Sequence, residues 1–263
     1  VSDPAPIGIE HGEPRGTASL PIEAWPDRLD AACAGLRFLH RSVVVRETGS
    51  TQDLARSRAA GDVVVAWRQT SGRGREGRTW QDTGVDGVAV TVVAAVHGPW
   101  IALAAGVAAA EAIERIAPSV TVGLKWPNDL MIEDRKVGGV LIERDGDASL
   151  VGIGINVTQQ SFEGDLAARA TSLALLGVRI DRIALLEALV PELDRQLAAG
   201  QTAAIEAFRR RDMLRGRTVR IRAAGSIIEG VIESIDPLAA IRIRASGGVH
   251  VVDPSTARIE CFI

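Results

Sequence analysis

Three arginines and three glycines share one short stretch, "QTSGRGREGRTW" at 69–80, where Arg73, Arg75 and Arg78 stand beside Gly72, Gly74 and Gly77. Like charges this close repel one another unless an anion joins them. Glycine lets backbone N–H groups approach an oxyanion, and guanidinium forks grip phosphate or carboxylate through two donors. The alternative is a solvated surface loop. Entry straight from an apolar run at 61–69 and the closing Trp80 count against it. The stretch is not a P-loop, because the Gly-Lys-Ser/Thr ending is missing, and its glycines do not open a helix as a dinucleotide fingerprint requires.

Lysine usage supplies a second clue. Of 30 Lys and Arg residues only Lys125 and Lys136 are lysine. A chain that writes arginine elsewhere points to a need for a compact point charge at these places, with chance placement as the alternative. Lys125 opens "KWPND", whose turn brings Asn128 and Asp129 together for a metal–phosphate complex or for a plain Asx-turn. Lys136 stands in "DRKVGG", where Gly138 and Gly139 suit either a ligand lying against backbone or a bulge. Ser50, in "TGSTQ", reads as a helix cap or ligand donor rather than a nucleophile. The four histidines form no metal motif. Cys33 and Cys261 show neither metal spacing nor a disulfide framework, so they read as small apolar residues in a reducing compartment.

Those residues need elements to hold them. With 263 residues, 46% hydrophobic and 24% charged, the chain has material for one large domain or two smaller ones, and a net charge of -3 argues against a general polyanion-binding surface. Residues 1–20 read as a flexible, Pro/Gly-rich tail without the regions of a signal peptide. A short helix is expected within 21–36, a strand at 40–48, a helix within 49–60 capped by Ser50 or Thr51, and a strand at 61–69. Residues 88–113 are almost wholly apolar, but His97, Gly98 and Pro99 divide them into a β-branched half and an alanine-rich half. That division predicts a buried strand, a turn and a core helix rather than a membrane span. Strand, turn, short strand, turn, strand follow over 119–144, another buried strand at 149–157, and helices within 171–213. From Leu214 onward short alternating runs predict a small antiparallel barrel of five strands. The fold class expected is α+β: a mixed sheet flanked by helices over 21–213, then the small barrel over 214–263.

In order and spacing, "ETGSTQDLA", "QTSGRGREGRTW", "GLKWPNDLMIEDRKVGGVLIE", "GIGINV" and "ATSL" resemble the biotin protein ligase family, over residues 40 to 176. The resemblance implies a catalytic fold related to lipoate ligases and class II aminoacyl-tRNA synthetases, with an SH3-like C-terminal domain. It also implies the monofunctional form, since the stretch before residue 40 is too short for the winged-helix domain some members carry. The implied reaction joins biotin to MgATP as biotinyl-5'-AMP, then to a lysine of a biotin carboxyl carrier domain of acetyl-CoA carboxylase or a related carboxylase.

By motif, the resemblance puts Ser50, Thr51, Gln52 (where the family usually has asparagine), Gln69, Arg73, Gly74, Arg75, Lys136 and Gly139 at biotin. It puts Arg73, Arg75, Arg78, Trp80, Asn128, Lys136 and Asn156 at the nucleotide. Lys136, Arg75 and Asp129 are the implied catalytic groups, with Asp129 also the candidate ligand for Mg²⁺. A cytoplasmic location, homodimers through a sheet edge as in some members, and no membrane or sequence-specific DNA partner complete the expectation. Two alternatives compete: a lipoate or octanoate ligase, and a nucleic-acid-binding module suggested by the Arg/Gly run. Few aromatics and an acidic balance weigh against the second.

Overall fold

The larger unit carries the strands β1 (Arg41–Thr48), β2 (Asp62–Gln69), β3 (Gly72–Arg73), β4 (Thr79–Trp80), β5 (Gly87–Ala94), β6 (Gly123–Lys125), β7 (Asp129–Ile132), β8 (Arg135–Asp145) and β9 (Ala148–Asn156), of which β1, β2 and β5 arise from β-branched runs. In this computed structural model, which describes residues 20–81, 85–223, 225–236 and 238–262, seven of them form one sheet in the order β1-β2-β5-β9-β8-β7-β6. The β1–β2 pair is parallel and the other neighbours are antiparallel, so the sheet is mixed as expected. The Gly/Arg stretch adds a feature its composition does not announce: β3 and β4 pair as a separate two-stranded ribbon. Opposite Lys136 and Gly138 the β7–β8 register shifts between Leu130 and Met131, so a bulge does sit beside the glycine pair.

Helices α1 (Trp25–Cys33), α2 (Thr51–Ala55), α3 (Trp100–Ile116), α4 (Leu166–Arg169) and α5 (Arg182–Arg211) accompany the sheet. Ser50 caps α2, its backbone extended and its hydroxyl accepting the Gln52 N–H. The alanines of α3 are buried almost all round, because a small side chain lets α5 and the sheet come close from opposite sides. Gly200, at φ 79°, breaks the regular path of α5. Cys33 lies in this core, where burial pushes its thiol up to about 11, in keeping with a packing role. Among the described residues no helix is long and apolar enough to cross a membrane.

Strands β10 (Thr218–Ala223), β11 (Ser226–Asp236), β12 (Ala240–Ala245), β13 (Gly248–Val252) and β14 (Arg258–Phe262) make a five-stranded antiparallel sheet, ordered β13-β12-β11-β10-β14. Val219, Ile221 and Ala223 face inward between exposed Thr218, Arg220 and Arg222, the period-two pattern of a sheet buried on one side. This is the expected small C-terminal unit, SH3-like in size and strand count. Arg217 meets Asp134 at 2.8 Å and Arg209 meets Asp236 at 2.8 Å, tying it to the larger unit. The tail expected at 1–20 lies outside the described residues apart from Leu20, whose N–H donates to Asp181 at 2.7 Å.

Candidate active site

Lys136 extends from β8 toward Asp129 on β7, and its Nζ lies 2.6 Å from the Asp129 carboxylate. The same ammonium stands 5.7 Å from the centre of the Trp80 ring. Two paired glycines make the room. A Cβ on Gly139 would come within 3.2 Å of Lys136 Nζ, and one on Gly154, its partner on β9, within 2.8 Å of the Trp80 indole. The bare backbone therefore lets the indole lie against the sheet beside the lysine. Asn128 donates to Val140 O at 2.7 Å, and its side-chain oxygen is 3.4 Å from Arg75 Nη1. Arg75, Trp80, Asn128, Asp129, Lys136 and Gly139 thus gather in one place.

A second, more deeply buried group adjoins α2. Gln69 Oε1 accepts from both the backbone N–H and the hydroxyl of Thr51, at 2.8 and 3.1 Å, while Thr91 donates to the Thr51 hydroxyl at 2.8 Å. Gln52 reaches across the sheet to donate to Leu141 O at 3.0 Å. Gly152 accommodates that reach, since a Cβ there would lie 2.7 Å from Gln52 Nε2. The other end of the amide, Gln52 Oε1, is buried without a partner. A buried acceptor left so costs about 1–3 kcal/mol, unless a donor on a ligand reaches it.

Between the loop and β8 runs a cleft of 600 Å³, walled by residues 70–79 and floored by Leu141 and Glu143. Gly74 lies in its wall, donating its N–H to Arg78 O at 2.7 Å. Arg73 does not point freely into it: Asp53 at 2.6 Å and Glu143 at 2.9 Å hold its guanidinium, while its Nε is buried and unpaired. Arg78 is 78% exposed and turns to Glu76. Asn156 is buried and donates to Thr171 O at 2.9 Å, bracing the end of β9 rather than reaching into the cleft.

Several contributors escape a reading of the sequence. Asp53 and Glu143 sit inside recognisable motifs but show no sign of meeting Arg73. Thr91 had a usable signal, as the lone polar residue of the buried strand "VAVTVVA". Arg182 had none. Buried between Trp25 and Trp67, it donates to Trp67 O at 2.8 Å and Gly87 O at 3.0 Å, beyond the last β2–β5 rung at Ala66 and Ala89. Burial lowers its pKa to about 10, so it stays cationic and holds the strand end that carries Gln69.

The model of the Biotin/lipoate A/B protein ligase family matches residues 44–159. The biotin–[acetyl-CoA-carboxylase] ligase of Mycobacterium tuberculosis is 34% identical over 245 residues, covering 86% of this chain and 90% of that protein. The bifunctional ligase/repressor BirA of Bacillus subtilis is 33% identical over 58% of this chain, which spans 51% of that longer relative. Among solved structures, a biotin protein ligase from Aquifex aeolicus in complex with biotin and ATP superposes with a TM-score of 0.75 at 26% identity, over 83% of this chain and 98% of that one. A ligase from Leishmania major in complex with biotinyl-5-AMP gives 0.58 at 26% identity, over 81% and 98%.

Proposed function

The chain belongs to the biotin protein ligase family, and from that premise we propose how its cleft activates biotin with ATP and passes it to an acceptor lysine. The observation that carries the reading is Lys136, one of two lysines in the chain, held by Asp129 beside Trp80 and the bare backbone of Gly139 and Gly154.

The biotin ring system lies against Ser50, Thr51, Gln52 and Gln69, where the unpaired Gln52 Oε1 accepts a ureido N–H. Its carboxylate then faces Arg75 and Lys136. When that carboxylate attacks the α-phosphorus of MgATP, two anions come into contact and pyrophosphate leaves. Arg75 and Lys136 offset the repulsion and stabilise charge in the transition state. Magnesium enters with the nucleotide, as part of the substrate. Sites of this kind hold Mg²⁺ through one or two carboxylates and the substrate phosphates. A donor set of Asp129 and Asn128, with no larger carboxylate or histidine cluster among the described residues, fits that arrangement.

In the second half-reaction a neutral lysine ε-amine attacks the carbonyl carbon of the mixed anhydride. A C–N bond forms, the C–O bond to phosphate breaks, AMP departs, and the amine proton passes to Asp129 and on to water. Asp129 becomes available for this when the phosphate takes its place as the partner of Lys136. The acceptor is a biotin carboxyl carrier domain, as the name of the M. tuberculosis relative supports for acetyl-CoA carboxylase.

Incubation with ATP, labelled biotin and a purified carrier domain is expected to release pyrophosphate and add one biotin mass to the domain. Octanoate or lipoate serving equally well in competition would move the assignment to the lipoate branch. No added mass, beside a competent control ligase, would end it.

A further inference from the structure

The arginine loop is pinned to the rest of the molecule by charged side chains, and one of the pins comes from the C-terminal sheet. Arg73 is held by Asp53 and Glu143 at the floor of the cleft, and Arg75 approaches Asn128 at 3.4 Å. The loop's single carboxylate, Glu76, reaches the other way. Its Oε1 lies 3.2 Å from Nε of Arg258 on β14, and its Oε2 is 3.3 Å from Arg78.

Glu76 also has a φ of 60°, in the left-handed region that a residue with a side chain seldom adopts. A backbone in that region persists where surrounding contacts hold it. The two arginines grip the side chain of that very residue, and Arg258 belongs to a different sheet from any other group that holds the loop.

We propose that Glu76 and Arg258 are positioning residues: through this ion pair the C-terminal sheet holds the arginine loop closed over the cleft and sets how long the activated intermediate stays bound. The inference rests on the reading of the cleft as the site of biotinyl-5'-adenylate. Neither residue touches the reacting atoms, so the pair acts on retention of the intermediate and leaves its synthesis alone. Because both partners are partly solvent-exposed, its effect is graded rather than absolute.

The test uses the full chain with Glu76→Gln, Arg258→Gln, both together, and the reversed pair Glu76→Lys with Arg258→Glu. Adenylate formation is followed in a single turnover, and its escape by chase with unlabelled ligand. Each single variant is expected to form adenylate at the wild-type rate and lose it about two- to fivefold faster, the range set by an exposed pair. The double neutral variant should lose it no faster than either single one, and the reversed pair should recover most of the retention. Arg222→Gln, which breaks the neighbouring pair with Glu260 at 2.7 Å on the same sheet, should release at the wild-type rate.

Effects that add in the double variant, or wild-type retention in Arg258→Gln, would overturn the latch while leaving the ligase reading intact. A wild-type protein that forms no adenylate would remove the ground of both.

Discussion

At the scale of single residues, the proposed mechanism divides the work between Lys136 and Arg75. Lys136 is a point charge 2.6 Å from Asp129, and the proposed mechanism brings the carboxylate and α-phosphate to it. Lys136→Ala is expected to cut adenylate formation on the order of 10²-fold or more in single-turnover assays. Arg75 belongs to the loop, and its Nη1 lies 3.4 Å from the side-chain oxygen of Asn128. Arg75→Ala should leave appreciable synthesis but let the adenylate escape and label nearby amines; retention equal to wild type would refute the gating role. Gly154→Ala probes the platform, because its methyl would meet the indole of Trp80 at 2.8 Å. Weaker nucleotide and biotin binding by calorimetry, with an unchanged melting temperature, is the expected outcome. The sequence made Lys136 legible through rarity and Ser50 through capping chemistry. It hid Arg73's partners and Arg258, because charges that meet across the fold leave no mark on local spacing.

At the scale of elements, the strands and the core helix were readable because burial imposes composition. β-branched runs mark the sheet, and small alanines mark the helix that must approach both the sheet and α5. The ribbon β3–β4 was not readable, since two-residue strands are too short to show an alternating pattern and β3 opens on glycine, which strands disfavour. Biotin and nucleotide bring further anions to the loop's arginines, so ligand should tighten the ribbon. Hydrogen exchange at 71–80 is expected to slow when biotin and an ATP analogue are added, and equal exchange at saturation would contradict closure. The α3–α5 contact carries a pH response. Burial favours the neutral Glu114, but Arg211 at 2.7 Å and the Val122 N–H at 2.8 Å outweigh it, and its pKa is lowered. A carboxyl lowered on folding gives stability that is present above its unfolded value and lost as pH falls through the folded one. Glu111 runs the other way, raised by burial and by Glu192, so its share is lost as pH rises. Melting curves below the ordinary carboxylate range should therefore fall with acidification, and Glu114→Gln should flatten that slope.

At the scale of the whole molecule, the change of texture near Leu214 correctly announces a second sheet, while its ties to the rest of the chain include long-range ion pairs that only the fold reveals. The scarcity of lysine has a meaning of its own at this scale. The intermediate is an acylating reagent that any accessible neutral amine can attack once it escapes, and its maker is the first protein it meets. Within residues 1–263 the only side-chain amines are Lys125 on β6 and Lys136, itself clasped by a carboxylate. Arginine, which supplies the other 28 cationic side chains, stays protonated and does not react. Exposed to excess synthetic biotinyl-5'-adenylate, the intact chain should gain at most two side-chain biotins by mass, even where a lysine-rich bystander is heavily tagged. A catalyst written in arginine offers its own intermediate few amines to acylate, and leaky variants such as Arg75→Ala should mark their neighbours while remaining nearly unmarked themselves.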